Sequence, residues 1–297
     1  MTNINRTDRI EDIYALGEIL GEGMDGEVRK AVHKTNGQQC AVKIISKTAM
    51  DEDEIAALTN EINILSEIDH PNVVKLYEAF ETDEKLYIVL ELMEGGELFD
   101  RIIESEFFSE NEAKEVLLPI IDAVSYWHEM DIIHRDLKPE NLLYESADEE
   151  SLIKISDFGL VKWVPQSTFA TTACGTPGYI APEIIMCKRY GKQVDVWSIG
   201  IILYILLWGY PPFYSDWNSE LFEMIKAGKF EFHASYWDQV SANAKDLIKK
   251  LLTVDPTKRI TLEEVKEHDW FTTSAQPMKL VREKSYGTTN DFKVYNR

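Results

Sequence analysis

The apolar residues of this chain change period once, and that change limits the folds open to it. Between residues 14 and 92 the runs at 15–20, 40–45 and 86–92 read as strands. One helix interrupts them, with Ile55, Leu58, Ile62, Leu65 and Ile68 on a common face until Asp69-His70-Pro71-Asn72 stops it. Beyond Glu94-Gly95-Gly96 the period becomes helical. Ser109-Glu110-Asn111-Glu112 forms a capping box ahead of an apolar face made by Ala113, Val116, Leu117, Ile120, Ile121 and Val124. Further amphipathic helices are expected near 219–227, 242–252 and 262–268, and the apolar run 199–208, too short to cross a bilayer, reads as a helix buried on all sides.

The pattern predicts an α+β, bilobal chain: a small β-rich lobe with one main helix, a glycine-bearing connector and a larger, mainly α-helical lobe, with a cleft between them. The expected boundaries are a polar tail at 1–12, the first lobe at 13–93, the second at 94–271 and a flexible tail at 272–297. A chain of 297 residues, 44% hydrophobic, can bury such a core. Residues 151–183 hold few periodic apolar positions and read as one long loop, and loops of that length inside compact domains are usually functional.

Charge and cysteine content narrow the function. With 31 basic and 52 acidic residues the formal charge is −21, which repels nucleic acid and anionic membranes and attracts basic partners, although surplus carboxylates also serve solubility alone. Neither a nucleic-acid nor a membrane partner is expected. Cys40, Cys174 and Cys187 are widely spaced, which excludes a disulfide framework or a Cys-x-x-Cys zinc site and fits a reducing, cytoplasmic setting. Residues 1–12 lack the apolar core of a signal peptide, and Met1 is not followed by the glycine that myristoylation needs.

The glycine segment runs Gly21, Glu22, Gly23, Met24, Asp25, Gly26, Glu27, Val28. Glycines let a backbone approach phosphates closely, but Gly-x-Gly-x-x-Gly by itself is equally an ordinary turn or the start of a dinucleotide fold. A dinucleotide fold would continue into a helix, whereas 27–32 followed by Asn36-Gly37 reads as a hairpin. An ordered set then follows: Ala41-Val42-Lys43, Glu61 on the predicted helix, His134-Arg135-Asp136-Leu137-Lys138-Pro139-Glu140-Asn141, Asp157-Phe158-Gly159, and Ala181-Pro182-Glu183. Taken singly, each Asp or Lys is more often a surface ion pair. Taken in order, the set resembles the eukaryotic protein kinase family over about residues 14–271.

The resemblance implies transfer of the γ-phosphate of Mg-ATP. It assigns Lys43 to the α- and β-phosphates, Glu61 to orienting that lysine, Asn141 and Asp157 to Mg2+, Asp136 to the substrate hydroxyl, and Lys138 to the phosphoryl group in transfer. It makes Leu20, Val28, Ala41 and Leu143 the walls of an adenine slot with Leu90 behind it, and gives the adenine edge to the main chain of Glu91 and Met93. Each wall residue is equally an ordinary core residue. It places His134 in a packed spine with Leu65, Leu76 and Phe158, makes Asp195-Val196-Trp197 a helix anchor, and pairs Glu183 with Arg259.

Lys138-Pro139-Glu140 and Gly175-Thr176-Pro177 resemble serine/threonine-specific members, in which the threonine hydroxyl bridges the catalytic Asp and Lys. Glu94 to Asp100 and Gly209 to Tyr214 resemble the calcium/calmodulin-dependent group. Glu97 and Glu140 match positions that pair with arginine of basic protein substrates, Glu97 also being placed for ribose. Thr172 in Thr172-Ala173-Cys174-Gly175-Thr176 resembles the phosphorylated site of type I members, which implies an upstream kinase. A monomer is expected. The basic residues after Phe271 are interrupted by Gly287-Thr288-Thr289-Asn290, so a complete calmodulin-binding helix is not expected there. One departure is Met24-Asp25, where the family usually carries a small residue followed by an aromatic. The rival readings are a kinase-shaped scaffold, which usually lacks one of the phosphate, metal or base residues, a nucleotide-binding regulatory module, and a small-molecule kinase.

Overall fold

Alternation of buried and exposed residues builds the first sheet. The computed structural model describes residues 3–6, 8–23, 26–104, 107–156, 162–164, 170, 174–273 and 279–281. The chain falls into two units, Met1–Gly96 with Leu143–Gly159, and Glu97–Leu142 with Leu160–Arg297.

In the first unit the strands are β1 (Asn3–Arg6), β2 (Tyr14–Gly23), β3 (Gly26–His33), β4 (Gln39–Ser46), β5 (Leu76–Glu81) and β6 (Lys85–Leu90), in the order β1-β5-β6-β4-β3-β2. All neighbours are antiparallel except β1, which lies parallel on the β5 edge. An edge strand needs only backbone donors and acceptors, so the polar stretch read as a tail can supply one. On β4 the side chains of Cys40, Val42 and Ile44 join Ile10, Tyr14, Ala31, Phe80 and Val89 in one buried cluster. Ala41, Lys43 and Ile45 therefore project from the opposite face of the sheet.

The single turn α1 (Ile10–Ile13) anchors Ile10 in that cluster. Helix α2 (Glu52–Glu67) starts at a reciprocal cap, with the Glu54 N–H donating to Asp51 Oδ1 and the Asp51 N–H to Glu54 Oε2, each at 2.9 Å. Glu52, Asp53 and Glu54 complement the positive helix end. Ile62, Leu65 and Ile68 of the expected face are buried and Ile64 joins them, while Ile55 and Leu58 are only half-buried because burial is confined to the C-terminal half of the helix. Asn72 Nδ2 donates to the Ile153 carbonyl at 2.8 Å and fixes the following turn to the strand Ile153–Ile155.

The second unit is helical. It begins with α3 (Leu98–Glu104) and the short strand β7 (Phe107–Ser109), against which Lys279–Val281 pairs antiparallel. The Ser109/Glu112 box then opens α4 (Glu110–Glu129). Its buried face matches the expected one and continues through Trp127 and His128. After β8 (Ile132–Ile133) come α5 (Pro182–Ile185), α6 (Gln193–Trp208), α7 (Asn218–Ala227), α8 (Ala234–Trp237), α9 (Ala242–Leu251), α10 (Leu262–Glu267) and α11 (Asp269–Thr272). Residues 194–207 of α6 are all buried, which makes that helix the centre of the unit.

Arg259 grips Glu183 through both nitrogens at 2.8 and 2.9 Å, donates to the carbonyls of Thr253 and Gln193, and lies 5.1 Å over the Trp197 ring. Stretch 151–183 is not one loop: Ile153–Ile155 is a buried strand, Lys162–Trp163 pairs with β8, and Pro177–Tyr179 is a 3-10 turn. Its Ile-Lys-Ile run is too short for a periodicity window to register. Among the described residues no helix is long and apolar enough to cross a membrane.

Candidate active site

In the first unit, register brings the candidate residues onto one surface. Val28 on β3 and Ile88 on β6 both lie opposite Lys43 on β4, and Ala41 lies opposite Leu90. Directly opposed residues share a sheet face, so Val28, Ala41, Lys43 and Leu90 line the face opposite the buried cluster. Lys43, Val28 and Leu90 are half-buried, while Ala41 is 8% exposed. Glu61 is half-buried on α2 beside the buried Ile62.

Gly21, Glu22 and Gly23 end β2, with Glu22 opposite Glu27 and Gly23 opposite Gly26. Gly26 has φ 122°, and a Cβ there would sit 2.1 Å from the Ile44 carbonyl oxygen, so the fold itself demands glycine. Gly21 is different: its φ is not positive and a Cβ there would meet nothing within 4 Å. Leu20, next to it, is exposed.

Glu91 is committed on several sides. Its N–H donates to the Lys75 carbonyl at 2.8 Å, Oε2 accepts from the Lys75 N–H at 3.2 Å, and Oε1 pairs with Lys154 Nζ at 2.6 Å. Met93 is half-buried in the next stretch, and Leu143, also half-buried, lies on the strand Leu142–Tyr144. Glu94 and Gly95 donate to the carbonyls of Glu145 and Tyr144, which holds the connector against that strand.

In the second unit a hydrogen-bond network does the placing. Asp195, fully buried on α6, accepts from His128 Nε2 at 2.8 Å, from the His134 N–H at 3.0 Å and from the Arg135 N–H at 2.9 Å. Burial alone would push its pKa up, but the bond and charge of His128, followed by His134, hold it below the ordinary carboxylate value. These bonds fix a strained backbone, since Arg135 has φ 72°, a conformation that costs a non-glycine residue roughly 1–3 kcal/mol. The strain falls immediately before Asp136.

Asp136, Lys138 and Thr176 close a ring of contacts. Thr176 donates to Asp136 Oδ1 from both its N–H and its hydroxyl at 2.8 Å, Lys138 Nζ lies 2.9 Å from Asp136 Oδ2, and Lys138 also donates to Thr176 Oγ1 at 3.0 Å. Asn141, 5% exposed, donates from Nδ2 to the Asp136 carbonyl at 2.9 Å, which orients its Oδ1. His134 is 1% exposed and packs at 5.4 Å against Trp127. Both carboxylate oxygens of Glu140 are buried with no hydrogen-bond partner among the described residues. Burial raises the Glu140 pKa, its own backbone N–H and Lys138 offset part of the rise, and the nearby carboxylates of Glu97 and Asp136 add to it. Glu97 itself is half-buried just before α3.

Met24, Asp25, Asp157 with Phe158 and Gly159, and Thr172 lie outside the described residues.

Compared with known proteins, residues 14–271 match the protein kinase domain. The chain belongs to the protein kinase family. It is 49% identical over 267 residues to a calcium/calmodulin-dependent protein kinase type 1 of Macrobrachium nipponense, covering 90% of this chain and 77% of that one. To the type 1B enzyme of Rattus norvegicus it is 46% identical over 270 residues, 91% and 78% of the two chains, and to myosin light chain kinase A of Dictyostelium discoideum 45% over 262 residues, 88% and 89%. This kinase is therefore an ATP-dependent serine/threonine protein kinase, similar to the calmodulin-dependent type 1 enzymes.

Two residues of this kinase that bear on the site escaped the sequence reading. His128 was detectable, because the α4 face at Ile121 and Val124 extends by helical spacing to His128. Tyr190 gave no signal, since Lys188-Arg189-Tyr190-Gly191 reads as a polar turn.

Proposed function

We propose that this kinase moves the γ-phosphoryl group of Mg-ATP to serine or threonine hydroxyls of basic protein substrates, with Asp136 as the base. The observation that carries this reading is the ring of contacts that fixes Asp136 between Lys138 and Thr176. Asp136 orients the substrate hydroxyl and takes its proton, and Lys138 faces the place where negative charge develops. Asn141 offers Oδ1, a hard oxygen suited to magnesium, with Asp157 as its expected co-ligand. Magnesium-bound ATP supplies the phosphoryl group, and the cation offsets its charge.

Lys43 and Glu61 serve the phosphate tail. The face carrying Val28, Ala41 and Leu90, with Leu20 and Leu143, forms the adenine slot, and Glu91 contributes its carbonyl there because its N–H is already bonded to the Lys75 carbonyl. The openness around Gly21 supports phosphate approach, since nothing within the fold requires a glycine there. Asp136→Asn is expected to lower kcat 10²- to 10⁴-fold with an unchanged melting temperature, and full activity in that variant would remove the base assignment.

Substrate basicity rests on Glu140. Two buried carboxylate oxygens with no hydrogen-bond partner among the described residues are costly unless a cation satisfies them, and an arginine guanidinium can do so bidentately. Activation follows from phosphorylation of Thr172, with Arg135 among the groups that receive the phosphate. If Thr172→Ala and unaltered enzyme ran at equal rates before and after treatment with an upstream kinase, that regulation would be excluded. Calmodulin is not the favoured regulator of this chain, because Gly287-Thr288-Thr289-Asn290 interrupts any amphipathic basic helix in the stretch after Phe271. A severalfold rise in activity with calcium and calmodulin would contradict this.

A further inference from the structure

Tyr190 joins three parts of the second unit. The residue is 3% exposed. Its main chain exchanges two hydrogen bonds with Ala170, the Ala170 N–H donating at 2.9 Å and the Tyr190 N–H at 3.1 Å. Its hydroxyl accepts from Arg135 Nη1 at 3.2 Å and lies 3.8 Å from Cys174 Sγ. One residue thus holds the segment before Thr176 at two points and grips the side chain next to Asp136. The packing between those parts leaves little slack: Gly175 has φ 111°, and a Cβ there would sit 2.9 Å from the Arg135 carbonyl oxygen. Burial keeps the phenol pKa above its ordinary value despite the opposing pull of Arg135, so the hydroxyl stays neutral and remains a fixed acceptor for the guanidinium.

We propose that Tyr190 is a positioning residue for phosphoryl transfer: its hydroxyl fixes Arg135 and, through the close approach of the Gly175 backbone to the Arg135 carbonyl, seats Thr176 on Asp136. The inference rests on the reading of Asp136 as the base. Packing alone would need only the ring and the two main-chain bonds to Ala170, and Tyr190→Phe retains both.

Tyr190→Phe is expected to lower kcat toward a peptide substrate about fivefold, with the KM for ATP unchanged and the melting temperature lowered by no more than about 4 °C, because a single buried hydrogen bond is lost. In an Arg135→Met background the same change is expected to lower kcat by less than twofold, since residues acting through one contact are not additive. Equal losses in both backgrounds, or an unchanged kcat for Tyr190→Phe alone, would overturn the proposal. Hydrogen exchange gives a readout independent of turnover: the Thr176 N–H, which donates to Asp136, is expected to exchange several times faster in Tyr190→Phe, and unchanged protection would equally overturn it. The exchange result stands whatever the identity of the base, whereas full activity in Asp136→Asn would overturn only the assignment of the base.

Discussion

The two units of this kinase place their candidate residues by different physical means. In the first unit Val28, Ala41, Lys43 and Leu90 share a surface because backbone ladders set the register of β3, β4 and β6, and a period of two does the rest. In the second unit Asp136, Lys138, Asn141 and Thr176 are held by side-chain contacts spanning up to 40 positions in sequence, on a strained turn that the buried Asp195 fixes from α6. A ladder tolerates loss of most single side chains. A network on a strained turn does not, because each removal strands a buried partner.

Removal of a partner in the second unit should therefore give the largest effect. Arg259→Ala leaves Glu183 buried and unpaired, and a loss of roughly 3–5 kcal/mol is expected, read as a fall in denaturant midpoint. A loss under about 1 kcal/mol would break the contrast. Within the first unit, two glycines separate backbone demand from ligand demand. Gly26→Ala should cost roughly 1–3 kcal/mol in stability, because a Cβ collides with the Ile44 carbonyl at a positive φ. Gly21→Ala should change stability by less than about 0.5 kcal/mol while raising the KM for ATP severalfold. Equal stability losses for the two would show that Gly21 serves the fold.

Glu140 gives the smallest effect and the sharpest one. Its folded pKa is raised, so the stability it permits is complete below the ordinary value of 4.5 and is lost as pH rises through the raised one. Glu140→Gln should thus melt slightly higher than the unaltered enzyme at neutral pH, with the gap closing as pH falls toward 4.5. The same variant should lose most of its preference for arginine-containing over alanine-containing peptides. A variant that melts lower at neutral pH, or that discriminates as before, would remove the link between an isolated carboxylate and substrate choice.

Much of this could be read from the chain in advance. The strand-to-helix change at Gly95-Gly96, the caps at Ser109 and the buried helix at 199–208 are local signals, written by periodicity and capping chemistry. Asp51 and Glu54 form a cap of the same kind, yet the expected face of α2 is buried only over its C-terminal half, at Ile62 and Leu65 with Ile64 added, because neighbouring elements decide what is covered. The motifs named the residue types that phosphoryl transfer needs, since that chemistry calls for particular charges in a fixed order along the chain.

Only the tertiary structure decided how those residues are held. It gave Gly26 and Gly21 opposite standing within one motif, left Glu140 with unpartnered oxygens, and brought His128 and Tyr190 to the turn before Asp136. Sequence order fixes which groups are present and the local period they follow. Contacts between residues 40 to 70 positions apart depend on packing that no local pattern encodes, and there a hydrogen bond of 2.8 Å and a void of a few ångströms separate a structural residue from a functional one.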